Sequence, residues 1–230
     1  LHGQNLTINK IDCPIRVEKR TVTLDGLSLD IFGGSLLTSL TAGIGTESVG
    51  LKVDIQTKNI DSAPLLVLAE QEKGMVAGPL NAHMTLEGSI KNPLALSAET
   101  IENADLSGSV SLGEIVTKPA GKIESFSLSY KLSNGNVIIS PLLVKAYNGE
   151  IRVVLKADKL QSAEPLFDTN LTINNLDGTT LLKSIGQDTD LISGNLNVKL
   201  TAKGTGKTLE TLNVESLLEI GSITAMKDVH

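Results

Sequence analysis

Leu51-Lys52-Val53-Asp54-Ile55-Gln56-Thr57-Lys58-Asn59-Ile60-Asp61 is strand text, and the chain writes it a second time as Phe167-Asp168-Thr169-Asn170-Leu171-Thr172-Ile173-Asn174-Asn175-Leu176-Asp177. A Leu-Leu pair follows each copy, Leu65-Leu66 and Leu181-Leu182. Val76-Ala77-Gly78-Pro79-Leu80 then returns as Ile192-Ser193-Gly194-Asn195-Leu196, and Gly88 returns as Gly204. Positions 61, 78 and 88 recur at 177, 194 and 204, each 116 residues on. Upstream, Ile31-Phe32-Gly33-Gly34 matches Ala146-Tyr147-Asn148-Gly149, so that 34 recurs at 149, 115 residues on. An active site is usually one asymmetric cluster, whereas two copies of one unit build a surface whose neighbouring units share a core. The repeat divides the chain into units over 1–118 and 119–230, or into one continuous β domain made of both.

Period two runs through most of the chain. Val49, Leu51, Val53 and Ile55 alternate with Gly50, Lys52, Asp54 and Gln56; Leu80, Ala82, Met84 and Leu86 alternate with Asn81, His83, Thr85 and Glu87. The same holds for Phe126 to Leu132, Ile151 to Ala157 and Leu196 to Ala202. Each such stretch is a strand with one apolar and one wet face, the pattern of antiparallel sheets. Asp25-Gly26, Asn134-Gly135, Asn148-Gly149 and Asp177-Gly178 read as joints, because these dipeptides tolerate positive φ. Asn92-Pro93 is a further turn.

Asp61-Ser62-Ala63-Pro64 reads as a cap and first-turn proline, opening a helix over 65–73 that stops at Gly74. The second copy places a helix over 177–184, with Gly186 as its stop. Within 94–125 the pattern is weaker: Gly108 interrupts one apolar phase, as in a bulged strand or two short ones, and Pro119-Ala120-Gly121 is a break. Residues 212–223 resemble 97–112 and read as the start of a third unit. The expected fold is mainly β: two tandem antiparallel β units, each with one short helix, forming an extended curled sheet or groove.

Composition narrows the function classes. The apolar content of the 230 residues is 40%, yet aromatics are 2% and Trp is absent, so the lining is aliphatic. With 20 Lys and Arg against 26 Asp and Glu the net charge is −6, and no basic cluster offers a nucleic-acid backbone or an anionic membrane its counter-charge. Cys13 is the single cysteine and has no partner for an internal disulfide. No apolar run reaches the roughly 18 residues of a membrane-spanning helix. The chain begins at Leu1 in strand-like text and reads as a fragment of a longer protein.

Catalytic motifs fail one by one. Gly204-Thr205-Gly206-Lys207-Thr208 resembles the end of a phosphate loop, but position 201 is Thr where the motif needs Gly. His2, His83 and His230 are scattered, and His83 sits on a wet strand face with no carboxylate paired to it in the text. Gly43-Ile44-Gly45 lacks the third glycine of a dinucleotide fingerprint. No Gly-x-Ser-x-Gly elbow and no carboxylate pair occur. Asn5-Leu6-Thr7 and Asn170-Leu171-Thr172 fit a glycosylation sequon but read as strand. The residues call for no catalytic group, cofactor or metal.

The aliphatic alternates remain as the candidate surface: Leu51, Val53, Ile55, Leu80, Met84, Leu86, Ile151, Val153, Leu155, Leu171, Ile173, Leu196, Val198 and Leu200. They line either an ordinary closed core or an open trough for acyl chains. Both need one aliphatic face, so the period suits either.

Ala146-Tyr147-Asn148-Gly149-Glu150, then Thr169 to Asp177 with Leu181-Leu182, Ile192-Ser193-Gly194-Asn195-Leu196-Asn197-Val198 and Gly204-Thr205-Gly206 together resemble the C-terminal region of the AsmA family, large envelope proteins of Gram-negative bacteria. The first unit, from Ile31-Phe32-Gly33-Gly34 to Gly88, carries a weaker version. The resemblance implies a periplasmic part of a protein anchored in the inner membrane, similar to bridge-like lipid carriers built from repeating β-groove units and tied to outer-membrane lipid homeostasis and assembly. It implies phospholipid acyl chains, and other envelope proteins, as partners. Two other readings compete: a closed β-repeat scaffold or spacer for outer-membrane protein assembly, binding partners at its edge strands, and an adhesin-like passenger. An enzyme fits least.

Overall fold

The computed structural model describes residues 11–45, 48–64, 78–90, 101–117, 121–160, 162–184, 186–187, 194–206 and 213–220. Its strands are β1 (Ile11–Asp12), β2 (Ile15–Glu18), β3 (Thr21–Ile31), β4 (Gly34–Ile44), β5 (Val49–Asp61), β6 (Pro79–Ile90), β7 (Ile101–Leu112), β8 (Ile115–Thr117), β9 (Gly121–Ser133), β10 (Asn136–Ala146), β11 (Gly149–Asp158), β12 (Leu166–Asp177), β13 (Asn195–Thr205) and β14 (Asn213–Ile220). All lie in one antiparallel sheet, in chain order. β1 and β2 pair with successive parts of β3, and β7 and β8 with successive parts of β9, so fourteen strands fill twelve lanes. The first and last lanes do not meet: the sheet is extended, curled and open.

The internal repeat is a repeat of lanes. β3, β4, β5 and β6 correspond to β10, β11, β12 and β13, and their registers transpose: Leu24 pairs with Leu40 as Ile139 pairs with Leu155, and Val53 with Leu86 as Thr169 with Ala202. β14 corresponds to β7, since Leu86 faces Leu106 as Ala202 faces Ser216; 106 to 216 is a step of 110. The stretch expected to open a third unit is therefore the last lane of the second. The sheet runs unbroken past residue 118 through the pairing of β7 with β9.

Turn chemistry departs from expectation at three joints. Asn134-Gly135 is the two-residue hairpin its text calls for, with φ of 49° and 72°. Asp25-Gly26, read as a joint, is a bulge inside β3, where the register shifts between Leu24 and Leu27 and Gly26 takes φ of 75°. Asn148-Gly149 is not the turn either: Tyr147 and Asn148 occupy it with φ of 52° and 58°, as Phe32 and Gly33 do in the first unit. Gly149 already pairs with Ala146 as the first residue of β11. It is glycine because a Cβ there would stand 2.6 Å from the Leu176 backbone; Gly34 meets the backbone of residues 58–60 in the same way. Asp177-Gly178 is no turn, but the cap and first residue of helix α1 (Gly178–Ser184).

These glycines fit against a second bulge, also repeated. Between Thr57 and Ile60, and between Ile173 and Leu176, the ladder gains extra residues. Asn59 and Asn175 each take φ of 53° there. The Asn59 N–H donates to Asn81 Oδ1, and the Asn175 N–H to Asn197 Oδ1, both at 2.9 Å. Beyond each bulge a backbone bond ties the chain back to the aromatic turn: the Asp61 N–H to the Phe32 carbonyl and the Asp177 N–H to the Tyr147 carbonyl, both 2.9 Å. Ile60 and Leu176, held between these ties, are each only 2% exposed.

Asp177 caps α1 by accepting from the Thr180 N–H (3.1 Å) and the Thr180 hydroxyl (2.9 Å), and Gly186 follows the helix with φ of 71°. In the first unit residues 62–64 are helical and the Ala63 N–H donates to Asp61 Oδ1 at 3.0 Å. The helix expected over 65–73 and the Asn92-Pro93 turn lie outside the described residues. β7 is one bulged strand, but the bulge is not at Gly108: its register against β6 shifts between Glu102 and Asp105. Gly108 stays in the ladder, because a Cβ there would meet the His83 carbonyl and the Tyr130 ring opposite.

Candidate functional site: one aliphatic face across the sheet

Directly paired residues in an antiparallel ladder point to the same side. One row can therefore be followed from strand to strand: Leu24, Leu40, Val53, Leu86, Leu106, Leu132 and Val137. A parallel row runs through Val110, Leu128, Leu142, Val153, Leu171 and Leu200. The fourteen candidate residues all fall on this face. Ile55 faces Met84, Leu80 faces Ile60, Ile151 faces Ile173, Ile173 faces Val198, and Leu196 faces Leu176. Leu51 faces Ala42, and Leu155 faces Ile139.

Sequence periodicity missed much of this face. β10 reads Val137-Ile138-Ile139-Ser140-Pro141-Leu142-Leu143-Val144, with no clean alternation. The register shift between Ile139 and Leu142, at the cis Ser140–Pro141 peptide, resets the phase from odd to even numbers. Val137, Ile139, Leu142 and Val144 then share one face. The bulge in β3 resets its phase likewise, from Val22 and Leu24 to Leu27 and Leu29. A phase break of two residues inside an apolar run was the available signal.

None of the fourteen side chains is buried and none is fully exposed; each is partly covered. Among the described residues the buried aliphatic side chains are Ile60, Ile115, Ala146 and Leu176, and Pro165 is buried as well. Neighbours within the sheet cover the edges of each aliphatic side chain, while no second layer of described residues seals the face. The large apolar residues that stand well exposed on this side lie at its rim: Ile15 and Val17 on β2, and Ile44 at the end of β4.

The opposite face is wet and cross-linked by charge. Lys52 bonds Glu87, Lys203 Nζ lies 3.1 Å from Asp168 Oδ2, and the hydroxyls of Thr85 and Ser107 lie 2.7 Å apart. His83, which the text left unpaired, meets Asp54 across the strands, Nε2 to Oδ2 at 2.8 Å. That hydrogen bond, helped by Gln56, holds the Asp54 carboxyl below the usual aspartate range. His83 and Asp54 lie two register positions apart on adjacent strands, a diagonal contact that sequence spacing does not reveal. A shallow depression of about 470 Å³ beside them is lined by Gln56, Asn81, Ser109, Ser111 and Ser129. Small serines on adjacent lanes produce it.

Among the described residues no cluster of His, Cys, Asp and Glu has the makings of a metal site, and no helix is long and apolar enough to cross a membrane. Cys13 is exposed and free. Gly204 continues β13, paired with Phe167 and Val214, as Gly88 continues β6. No family model, curated protein or solved structure matches the chain.

Proposed function

We propose that this chain is a non-enzymatic lipid-binding or lipid-conducting segment, whose open aliphatic face holds acyl chains while the charged face meets water. The observation that carries this reading is the continuity of the apolar rows across both repeat units, on a face with no layer of described residues over it. Twelve lanes at about 4.8 Å and strands with some 23 Å of alternating aliphatic residues give a face on the order of 1,000 Å². That exceeds the roughly 300–600 Å² of the largest patch on a typical monomer. An acyl chain laid on it gains about 0.8 kcal/mol per buried CH₂ and needs no polar contact at a fixed place. A lining that repeats from strand to strand offers many near-equivalent positions, which suits sliding better than fixed binding.

The resemblance to the AsmA family adds the setting: a periplasmic stretch of an inner-membrane-anchored envelope protein of a Gram-negative bacterium, serving outer-membrane lipid homeostasis. Setting and phospholipid ligand rest on that resemblance, while the lipid-sized apolar face rests on the fold.

The reading is tested by incubating the purified chain with vesicles carrying a phospholipid with a fluorescent acyl chain. Transfer of the probe to the protein, with a blue shift on entering an apolar site, is expected. A chain that stays folded and takes up no probe contradicts it.

A further inference from the structure

The internal repeat shows how one six-lane unit joins the next. β7, the last full lane of the first unit, pairs with β9, the first lane of the second, setting Leu106 against Leu132, Ser107 against Lys131 and Gly108 against Tyr130. Each strand has a counterpart in an outermost lane of the described sheet. β2 is the counterpart of β9: Ile15 pairs with Leu24 and Val17 with Val22, as Tyr130 pairs with Ile139 and Leu132 with Val137. β14 is the counterpart of β7, 110 residues on. Among the described residues, neither β2 nor β14 is paired on its outer side.

From this we infer that β14 of one chain docks against β2 of a second copy, head to tail, and continues the sheet by strand addition. The register follows by transposing the internal join: Ser216 faces Val17, Leu217 faces Arg16, and Leu218 faces Ile15. Continuity with the β7–β9 junction carries the inference, and the edges are fitted for it. Ile15 and Val17 on the aliphatic face are 65% and 67% exposed, and Leu217 on the wet face, where it would lie against Arg16, is 58% exposed; these are the most exposed large apolar residues among those described.

Pro14 does not block the edge. The Asp25 N–H donates to the Pro14 carbonyl at 3.0 Å, so Pro14 directs its polar side, and its missing N–H, inward to β3. The alternation of antiparallel backbone then turns the N–H and C=O of Ile15 and Val17 outward. Charge works both ways in this register. Arg16, now 3.8 Å from Glu18, falls between positions 215 and 219, both glutamate, while Glu18 falls opposite Glu215. The contact is heterologous, so it propagates rather than closing on a two-fold axis. It does not depend on what the aliphatic face binds.

Cysteine pairing reads the register directly. In a Cys13→Ser background, Arg16→Cys and Leu217→Cys are combined, and the protein is oxidised with diamide, which takes the two protons and two electrons of each disulfide. A covalent ladder of dimers, trimers and longer species on a non-reducing gel is expected. Replacing Leu217→Cys by Glu219→Cys moves the thiol to a diagonal position, about 7–8 Å away, and lowers the ladder at least tenfold. Val17→Pro, which removes an outward N–H, lowers it as much, and Glu215→Lys raises it by removing a like-charge pair. Free thiols on a monomer, a disulfide within one chain, or equal linking by either single cysteine variant would each overturn the inference. If Val17→Pro is unfolded by circular dichroism, the comparison of the two cysteine registers still decides.

Discussion

Gly149 and Leu176 approach so closely that a β-carbon on the glycine would stand 2.6 Å from the leucine Cα. The contact lies where β11 leaves the aromatic turn and β12 bulges, and Gly34 makes the same approach to the bulge at Ile60. These two points are where each unit is locked, because the rest of the apolar face has no facing layer among the described residues. Gly149→Ala forces backbone apart and is expected to cost about 2–3 kcal/mol. Gly33→Ala, with open space around it but φ of 73°, is expected to cost only about 1–2 kcal/mol. Urea midpoints of the two variants against the parent check the order; equal midpoints would remove the close approach as a determinant.

Asn81 and Asn197 each hold one bulge N–H. Asn197→Ala is expected to cost about 0.5–1 kcal/mol, the net value of one such bond at a site water can reach. The paired variant Asn81→Ala/Asn197→Ala is expected to cost the sum of the singles, since the two bulges share no partner. Thermal unfolding checks it, and strong coupling would mean the bulges are not independent locks.

Asp177 gives a stability term with a predictable pH window. Its carboxyl is held below the ordinary range by the Thr180 N–H first and the Thr180 hydroxyl second. A depressed native pKa means stabilisation present in full above the unfolded value, near 3.9, and lost as pH falls through the lower native value. Asp177→Ala is therefore expected to cost about 1 kcal/mol at neutral pH. The deficit narrows below about pH 4 and vanishes once the parent carboxyl is protonated. A deficit independent of pH between 7 and 2 would assign the loss to packing instead.

Fold class and repeat were legible because period two and the steps of 115 and 116 survive in the text. Unreadable were the places where period two breaks. Asp25-Gly26 has turn composition but spends it on a bulge, and composition alone does not separate the two, since both need a residue at positive φ. Asn148-Gly149 misled by one position, because the glycine answers a contact with residues far along the chain rather than a local φ. The candidate face was found on strands with clean alternation, such as Leu196 to Leu200. It was missed on β10, where Ser140 and Pro141 shift the phase. His83 and Asp54 stayed apart on paper because the diagonal that joins them exists only once β5 and β6 are in register.

The central claim is that the aliphatic face is open to lipid. The most direct test is native mass spectrometry of the chain purified without detergent from a Gram-negative host, with lipid extraction beside it. The parent is expected to carry phospholipid in stoichiometric amount. Replacing Leu196, Val198 and Leu200 with glutamate, with β-structure confirmed by circular dichroism, is expected to remove most of it. A parent that is lipid-free and stays so with added phospholipid, or a folded triple variant that retains its lipid, would contradict the account.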